Sequence, residues 1–367
     1  MRSAPYASLL VIALLGAAPA VQSGFSIQQI ATVDGARELV AAPNGDLFVG
    51  TSGQDVYIIP HADAAGAAGA PRVFAHFDDS PAAGVAFSGN ALYVGTQFAI
   101  WRIEYRPGDL QSRSAPQKLA PVRTSGVARD HVTTSVAVAK GIVYASVGSS
   151  CNACRPDVDG TRATVGRVAG GAYQVIARNI RNAIALTANA NTGSLWAGVA
   201  GQDELPAGHP YEMFDDVSAH APVADYGWPT CYENHRGSGC GGVAVSRVVF
   251  PAYATPIGAV FYPEHPAGRY VFPSRFRGGA FVTLHGSWHG PPFVAPAVVF
   301  IPMRGDSPAT AADWNDPHKQ WTQFVSGYQD DGSDRRIGRP NGITVGPQSD
   351  IFLADDATGA IYRIQPK

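Results

Sequence analysis

The sequence predicts an all-β fold, a six-bladed β-propeller with four-stranded blades. Six times along the 367-residue chain, a tight turn leads into a short strand rich in apolar and aromatic residues, at positions 45–51, 89–96, 141–148, 193–198, 278–284 and 349–355. Apolar segments lie just upstream of these strands, as at 84–87, 135–138, 258–261 and 342–345. Paired strands that recur about every 40–50 residues are typical of propeller blades, which usually have four strands.

The later repeats are spaced further apart than the early ones. We therefore expect insertions after the fourth and fifth of these strands. Such insertions form loops on one face of a repeat protein, often the binding face. Segments 206–224 and 290–334 are accordingly the expected substrate-selecting loops.

Composition supports one strand-rich domain. The chain has 41 glycines, 28 prolines and 15% charged residues, which suits many tight turns between short strands. All-β folds of this length often form one unit, so we predict a single propeller domain over 24–367. The net charge of −2 provides no basic surface for nucleic acid.

The first residues have the pattern of an export signal. Arg2 precedes an apolar run at 9–15, and small residues follow as far as Ser23. The run is shorter than the ~20 residues that span a bilayer, so we predict a signal peptide over 1–23, cleaved after Ala20 or Ser23. The expected location is periplasmic or secreted, without a transmembrane segment after cleavage. An uncleaved membrane anchor is the alternative.

Export would favour oxidation of the four cysteines. Cys231 and Cys240 flank a polar loop that a disulfide could close. Cys151 and Cys154 form a C-x-x-C pair without the following histidine of a c-type haem site. We expect a disulfide within each pair. A redox-active Cys151–Cys154 pair is a second possibility.

Polar residues stand at the beginnings of several predicted inner strands. These are Asp130 and His131 in the third repeat, Arg181 and Asn182 in the fourth, and 339–342 in the last, with 284–288 closing the inner part of the fifth. In a propeller the starts of the inner strands meet at one mouth of the central channel, so these groups could form one site. Individually, each has a structural explanation, such as a guanidinium that joins blades through backbone carbonyls.

From about Val33 to the C-terminus the chain resembles the soluble sugar dehydrogenases that depend on pyrroloquinoline quinone (PQQ), the glucose/sorbosone dehydrogenase family, and in particular its sorbosone-type branch. The motifs that carry the resemblance are VGSSCNAC at 147–154, RNIRN at 178–182 with NTGSLW at 191–196, YGWPTC at 226–231, LHGSW at 284–288, and RPNGI at 339–343 with Asp355, Asp356 and IYR at 361–363.

The resemblance implies a PQQ- and Ca²⁺-dependent enzyme that oxidises a sugar and passes electrons to a quinone or cytochrome. It implies that His131 is the catalytic base, with Asp130 as its acidic neighbour. The cofactor-binding residues that it implies are Arg181, Asn182, His285 and Arg339. Glu212 and the Tyr226 carbonyl would correspond to the ligands of a structural Ca²⁺. These expectations agree chemically, since arginines suit a tricarboxylate and oxygen ligands suit Ca²⁺.

Several positions depart from the family pattern. Val132 to Ser135 lacks the arginine that commonly follows the histidine, Ala183 replaces a proline, segment 201–210 is short, and His289–Gly290 replaces Asn-Arg. Two other functions therefore stay open. One is a propeller without cofactor that serves as a periplasmic binding or scaffold module. The other is a Ca²⁺-dependent lactonase, for which the sequence offers few metal-binding acids.

Overall fold

The computed structural model describes residues 19–123, 130–155, 157–287, 293–329 and 335–367. In these residues the chain consists of strands, loops and two short 3-10 helices at Val217–Ala219 and Ser274–Phe276. The main sheets form six blades, which confirms the prediction of a six-bladed β-propeller with four-stranded blades. Within the described ranges, no helix has the length and apolar character needed to cross a membrane.

Each blade has four antiparallel strands, numbered below from the central axis outwards. Blades 1 to 3 consist of Ala36–Ala41, Leu47–Thr51, Asp55–Ile59 and Arg72–His76; Gly84–Ser88, Ala91–Gly95, Ala99–Glu104 and Gln117–Pro121; and Thr134–Ala139, Ile142–Val147, Thr164–Ala169 and Ala172–Arg178. Blades 4 to 6 consist of Ala185–Ala188, Leu195–Val199, Glu212–Asp216 and Val248–Phe250; Pro256–Phe261, Ala280–Leu284, Ala297–Ile301 and Thr322–Ser326; and Pro340–Val345, Ile351–Asp355, Ala360–Pro366 and Phe25–Thr32.

Two-residue strands add to the edges of the blades or form small hairpins beside them. Ala224–Asp225 adds to the outer edge of blade 3, and Ala20–Val21 adds to the outer edge of blade 5. Two hairpins lie outside the blades, Cys231–Tyr232 with Arg236–Gly237 and Met303–Arg304 with Ser307–Pro308. Ala224–Asp225 and the Cys231–Tyr232 hairpin belong to the insertion after the third strand of blade 4. The Met303–Arg304 hairpin belongs to blade 5. The sequence predicted insertions in both blades.

The inner strands form a closed ring in which each touches the inner strands of both neighbouring blades. The ring is so tight that glycine is required at its contacts. A Cβ on Gly84 would lie 2.1 Å from the carbonyl oxygen of Thr134, and one on Gly342 would lie 2.2 Å from that of Arg37. These contacts join strand starts to strand starts, so the beginnings of the inner strands face one mouth of the channel.

The first long strand of the chain closes the ring. Phe25–Thr32 is the outermost strand of blade 6 and pairs with Ala360–Pro366, so the first and last long strands of the described chain share one sheet. Phe25 is 2% exposed and packs against the rings of Phe272, Phe276 and Phe324 from blade 5. The closing strand is thus held by hydrogen bonds to one blade and by aromatic packing against the next.

The aromatic residues of the repeated strands fill the interfaces between blades. Phe48, Trp196, Phe281 and Phe352 occupy corresponding second strands, and each is fully buried. Phe48, for example, contacts the rings of both Phe74 and Tyr105. Burial of such large side chains is the main favourable term that holds the blades together.

The two predicted disulfides are confirmed. Cys231–Cys240 closes the loop of the Cys231–Tyr232 hairpin, and Cys151–Cys154 closes a short loop after the second strand of blade 3. The second of these loops lies at the mouth, directly beside the predicted functional residues.

The inner strands surround a channel of about 310 Å³, which is lined mainly by residues with apolar side chains. Among the described residues that line it, Glu38 is the one that can ionise, and its Oε2 accepts the Val85 N–H at 3.3 Å. Burial raises the pKa of the Glu38 carboxyl to about 8, so this group is largely uncharged at neutral pH. At neutral pH the described residues that line the channel below the mouth therefore carry little side-chain charge.

Candidate functional site

Antiparallel pairing brings two sets of polar residues to the same mouth. The start of each inner strand lies beside the end of the second strand, as when Thr134 pairs with Val147 and Pro340 pairs with Asp355. Residues just before the inner strands therefore meet residues just after the second strands. His131, Arg181 and Arg339 belong to the first set, and His285 belongs to the second.

His131 is held in one orientation by the backbone of the neighbouring loop. Its Nδ1 lies 2.9 Å from the carbonyl oxygen of Ser149 and 3.1 Å from the Ser149 hydroxyl. Since a carbonyl can only accept, the hydrogen-bond network assigns the proton to Nδ1 and leaves the lone pair on Nε2. Among the described residues Nε2 has no hydrogen-bond partner. The imidazole is thus set up to accept a proton at Nε2.

The surroundings of His131 keep it uncharged. Burial, together with the nearby Arg181 and Arg162, lowers the pKa of the His131 imidazole to about 4, against the opposing effects of the Ser149 hydrogen bond and the Asp130 charge. Asp130 itself is exposed. The ring is therefore neutral across the physiological range.

Asn182 lies next to His131. Gly148 separates them, because a Cβ at this glycine would be 2.4 Å from the His131 Cβ and 2.6 Å from the Asn182 Oδ1. The Asn182 side chain makes no hydrogen bond to any described residue, so its amide is available to a ligand. The structure therefore brings together the predicted base and one predicted cofactor-binding residue.

Arg181 is buried and its guanidinium is engaged by the protein itself. Nε donates to the Asn152 carbonyl at 3.1 Å, Nη1 to the Gly201 carbonyl at 2.6 Å, and Nη2 to the Asn152 Oδ1 at 3.0 Å and to Asp203 at 3.3 Å. Burial lowers the pKa of Arg181, with Asp203 opposing. Arg181 therefore joins the disulfide loop of blade 3 to the loop after the second strand of blade 4.

A second polar cluster lies at the same mouth between blades 1, 5 and 6. Asp356 accepts hydrogen bonds from Arg37 at 2.7 Å, His285 Nε2 at 2.9 Å and Asn341 at 3.0 Å. Burial alone would raise the pKa of Asp356, but these donors lower it to about 2. Burial lowers the pKa of His285 to about 4, so it is a neutral donor to an ionised carboxylate.

Arg339 extends this second cluster. Its Nε donates to the His285 carbonyl and its Nη2 to the Gly286 carbonyl, both at 3.0 Å. Nη1 makes no hydrogen bond to any residue that the structure describes. Burial lowers the pKa of Arg339 to about 10, so the guanidinium remains charged at neutral pH. Arg339 can therefore offer one N–H₂ group to an anion while the other nitrogens fix its position.

Arg37 links the two clusters. While Nη1 is paired with Asp356, Nη2 lies 3.5 Å from the Thr133 hydroxyl, two residues beyond His131. Sequence reasoning identified neither Arg37 nor the role of Asp356. Arg37 stands in the first inner strand at a position where the other inner strands carry no arginine, so the repeat pattern provided no signal for it.

Glu212 is buried beneath the mouth, in the third strand of blade 4. Its Oε2 accepts the Gly201 N–H at 2.7 Å and its Oε1 accepts the Tyr253 N–H at 3.2 Å. Burial raises the pKa of Glu212 to about 8. Tyr226 donates its hydroxyl to Asp215 and its N–H to the Arg178 carbonyl. No described contact brings the predicted ligands Glu212 and Tyr226 together around a common point.

The group Cys151, Cys154 and Asp157 is the compact set of potential metal ligands in the described part of the chain. The two cysteines are bonded to each other, and a disulfide is not a thiolate ligand. This group therefore does not form a metal site in the oxidised protein. Trp288, His289 and Gly290, which the sequence motifs singled out, and part of the 290–334 loop lie outside the described residues.

The donors at the mouth fit a polyanionic quinone such as PQQ in part. Arg339 and Asn182 have groups without partners in the described structure, whereas Arg37 is paired with Asp356. The N–H groups of Arg181 donate to acceptors of the protein itself, so Arg181 contributes charge rather than a direct hydrogen bond. Arg339 and Asn182 are therefore the residues that would hold the cofactor carboxylates.

Comparison with known proteins supports this assignment of the fold. Residues 232–367 match the family model described as TrAA12-like. No curated protein matches the chain. Among solved structures, the calcium structure of the Trichoderma reesei family AA12 carbohydrate-active enzyme has a TM-score of 0.78 at 17% identity, with 97% of this chain and 99% of that chain covered.

Two further solved structures are similar over nearly their whole length. The holo form of the PQQ domain of pyranose dehydrogenase from Coprinopsis cinerea has a TM-score of 0.78 at 15% identity, covering 95% of this chain and 97% of that chain. The PQQ-bound aldose sugar dehydrogenase from Streptomyces coelicolor has a TM-score of 0.62 at 17% identity, covering 95% and 100%. At these identities the similarity establishes a shared propeller fold.

Proposed function

We propose that the protein is an exported, PQQ-dependent oxidoreductase that oxidises a sugar, with His131 as the general base. The observation that carries this proposal is the geometry of His131. Its Nδ1–H is fixed on the Ser149 carbonyl, and its Nε2, which has no hydrogen-bond partner among the described residues, lies at a mouth lined by arginines. The family match at 232–367 and the names of the structural neighbours support the same chemistry.

The protein's own groups would act on the substrate hydroxyl. Nε2 of His131 accepts the hydroxyl proton, while the Ser149 carbonyl and Asp130 stabilise the imidazolium that results. PQQ would supply the two-electron acceptor for the hydride that leaves the same carbon. A base pKa near 4 in the free protein is low for this role, and the negative charge of a bound tricarboxylate next to His131 would raise it.

The arginines would orient the cofactor and balance its charge. Arg339 is fixed through two carbonyls and can direct Nη1 at a carboxylate, while Arg37 and Arg181 contribute positive charge at the same mouth. These cations would hold the polyanion at the mouth. A sugar would then bind from the solvent side, above the cofactor.

Calcium binding at Glu212 is part of this proposal, with Tyr226 as the second predicted ligand. A buried carboxyl with a raised pKa would become ionised when a cation binds, which provides a direct test. We expect Ca²⁺ to raise the melting temperature of the parent protein and to have a smaller effect on Glu212→Gln. The conservative Glu264→Gln change, at an exposed glutamate, is the control. An equal Ca²⁺ effect in all three proteins would exclude Glu212 as a ligand.

Cleavage of 1–23 and export to the periplasm or medium complete the proposal. Both disulfides fit an oxidising compartment. Cleavage after Ser23 would remove Ala20–Val21, the short strand at the edge of blade 5, whereas cleavage after Ala20 would keep part of it. The N-terminal mass of the exported protein distinguishes these sites and the uncleaved anchor. The electron acceptor is proposed to be a quinone or cytochrome.

Reconstitution tests the activity directly. Purified protein loaded with PQQ and Ca²⁺ should reduce an artificial dye when aldoses are added. His131→Ala should lower kcat by about 10²–10⁴-fold, because a positioned general base contributes that much. His265→Ala, at an exposed histidine, should leave kcat unchanged. Absence of both turnover and a PQQ absorbance titration would refute the proposal.

A binding module without cofactor is the second candidate. It is favoured by Arg181, whose guanidinium is saturated by the protein. In that case a sugar would bind without PQQ, measurable by calorimetry, and His131→Ala would bind it with unchanged affinity. Loss of dye reduction in His131→Ala, with PQQ binding intact, would exclude this candidate.

A further inference from the structure

Two buried arginines lie beneath the loop that carries His131. Arg123 and Arg162 are each only 3% exposed. Neither forms a salt bridge with a described residue, although Asp130, Asp157 and Asp159 act on Arg162 through longer-range electrostatics. Buried guanidinium groups are normally paired with carboxylates, because an unpaired buried charge is costly.

Both arginines donate to backbone carbonyls around His131, and Arg123 Nη1 also donates to the Gln97 carbonyl of blade 2 and to the Thr134 hydroxyl. Arg123 Nη2 donates to the carbonyls of His131 and Thr133, each at 2.8 Å. Arg162 Nη1 contacts the carbonyls of Asp130, Gly148 and Ser149, each at 3.2 Å. The Ser149 carbonyl is also the acceptor of His131 Nδ1. Together the two guanidiniums contact the backbone on both sides of the imidazole.

The backbone that they hold has an uncommon conformation. His131 has a φ of 48°, in the left-handed region that residues other than glycine rarely adopt. Such conformations persist only where the surroundings determine them, and they are concentrated at functional sites. The contacts of Arg123 and Arg162 with the carbonyls of residues 130, 131 and 133 provide this constraint.

The bonds of Arg123 Nη1 to Gln97 and Thr134 join blade 2 to blade 3, but such a link does not explain the remaining nitrogens of the two arginines. Nε of Arg123, and Nε and Nη2 of Arg162, are buried and lack a hydrogen-bond partner in the described ranges. Burial and the charge of Arg162 together lower the pKa of Arg123 to about 9, so the two cations oppose each other. A neutral donor could make several of the same contacts with a smaller free-energy penalty for burial. The positive charge of these residues therefore needs a functional explanation.

We propose that Arg123 and Arg162 are positioning residues for His131, which fix its strained backbone and hold its ring ready to accept a proton. This inference rests on the proposed function, because it concerns the base of that reaction. Arg181 from blade 4 acts on the ring in the same direction as Arg162, and Asp130 acts in the opposite direction. The charge and the fork-shaped geometry of Arg162 can be tested separately.

The first test measures His131 itself in the full-length, cofactor-free protein. Histidine side-chain NMR signals are followed against pH, and the His131 signal is identified by its loss in His131→Ala. We expect the midpoint to rise in Arg162→Gln, which removes the charge but keeps a donor. Arg167→Gln removes an arginine of the same blade that bonds Gln174, and it should leave the midpoint unchanged.

The second test separates position from charge. Arg162→Lys retains the charge but not the planar fork, so the His131 midpoint should stay low while kcat/KM of the PQQ- and Ca²⁺-loaded protein falls by about 10–100-fold. An unchanged midpoint in folded Arg162→Gln, or full kcat/KM in Arg162→Lys, would overturn the inference. If Arg162→Gln does not fold, the kcat/KM of Arg162→Lys decides. A loaded parent without turnover would refute the proposed function, while the NMR midpoint would still test this inference.

Discussion

At the level of single residues, two buried histidines make the protein sensitive to acid. Burial lowers the pKa of both His131 and His285 to about 4, against about 6.5 in an unfolded chain. Between these values the unfolded chain binds more protons than the folded one. The contribution of these histidines to stability is therefore complete above about pH 6.5 and is lost progressively as the pH falls towards 4.

Replacement of His285 isolates one of these contributions. On lowering the pH from 7 to 5, the parent should lose on the order of 2 kcal/mol more unfolding free energy than His285→Gln. Urea unfolding at the two pH values measures this difference. His265→Gln, at an exposed histidine, should follow the parent. The same loss in His285→Gln as in the parent would show that His285 is not held neutral.

Site residues were predictable where their position in a repeat was distinctive. His131 and Asn182 could be found because they precede inner strands, and the structure brings them together beside Gly148. Arg181 was also found, but its contacts with Asn152 and Gly201 depend on loop conformations that no local pattern specifies. Arg123 and Arg162 were missed because they donate mainly to backbone carbonyls. Every residue has a backbone carbonyl, so the sequence does not indicate which ones accept these bonds.

At the level of strands, the inner ring depends on close approach of backbones. Gly342 lies near the start of the inner strand of blade 6 and faces the Arg37 carbonyl of blade 1. A Cβ on Gly342 would also lie 2.7 Å from the Glu38 Cα. A side chain there would push blade 1 away from blade 6 and displace Arg37, which pairs with Asp356.

A methyl group at this position should therefore destabilise the ring. We expect Gly342→Ala to lower the unfolding free energy by about 1–3 kcal/mol, as overpacking usually does, and to weaken PQQ binding through the shift of Arg37. Denaturant titration and cofactor absorbance measure the two effects. Gly66→Ala is the control, because a Cβ at Gly66 meets no atom within 4 Å. Equal stability of both variants would contradict the close contact.

The strands themselves were highly predictable, because each repeat places a buried aromatic or large apolar residue at the same point of a second strand. Phe48, Trp196 and Phe352 show this pattern in both the sequence and the core. The two-residue strand at Ala20–Val21 was not predicted, since this segment was assigned to the signal peptide. Its pairing with Thr322–Ser326 involves residues about 300 positions apart in the chain, beyond the range of local patterns.

At the level of the whole molecule, stability depends on closing the ring with the strand that begins at Phe25. Phe25→Ala should lower the unfolding free energy by about 3–5 kcal/mol, because a large buried aromatic side chain is lost from a packed cluster. Thermal or denaturant unfolding measures this loss. Phe293→Ala, at a phenylalanine that is 53% exposed, should have little effect. A small loss in Phe25→Ala would mean that blade 6 does not need this anchor.

Pairing of Phe25–Thr32 with Ala360–Pro366 also constrains how the protein is made. Blade 6 cannot pair its outermost strand, Phe25–Thr32, until Ala360–Pro366 has been synthesised, so the ring can close only after that later strand is available. A truncation within Ala360–Pro366 would leave Phe25–Thr32 without its partner. Conversely, a short peptide bridge from Lys367 to Gly24, which already share a backbone hydrogen bond of 2.9 Å, would allow new ends to be opened between any two blades.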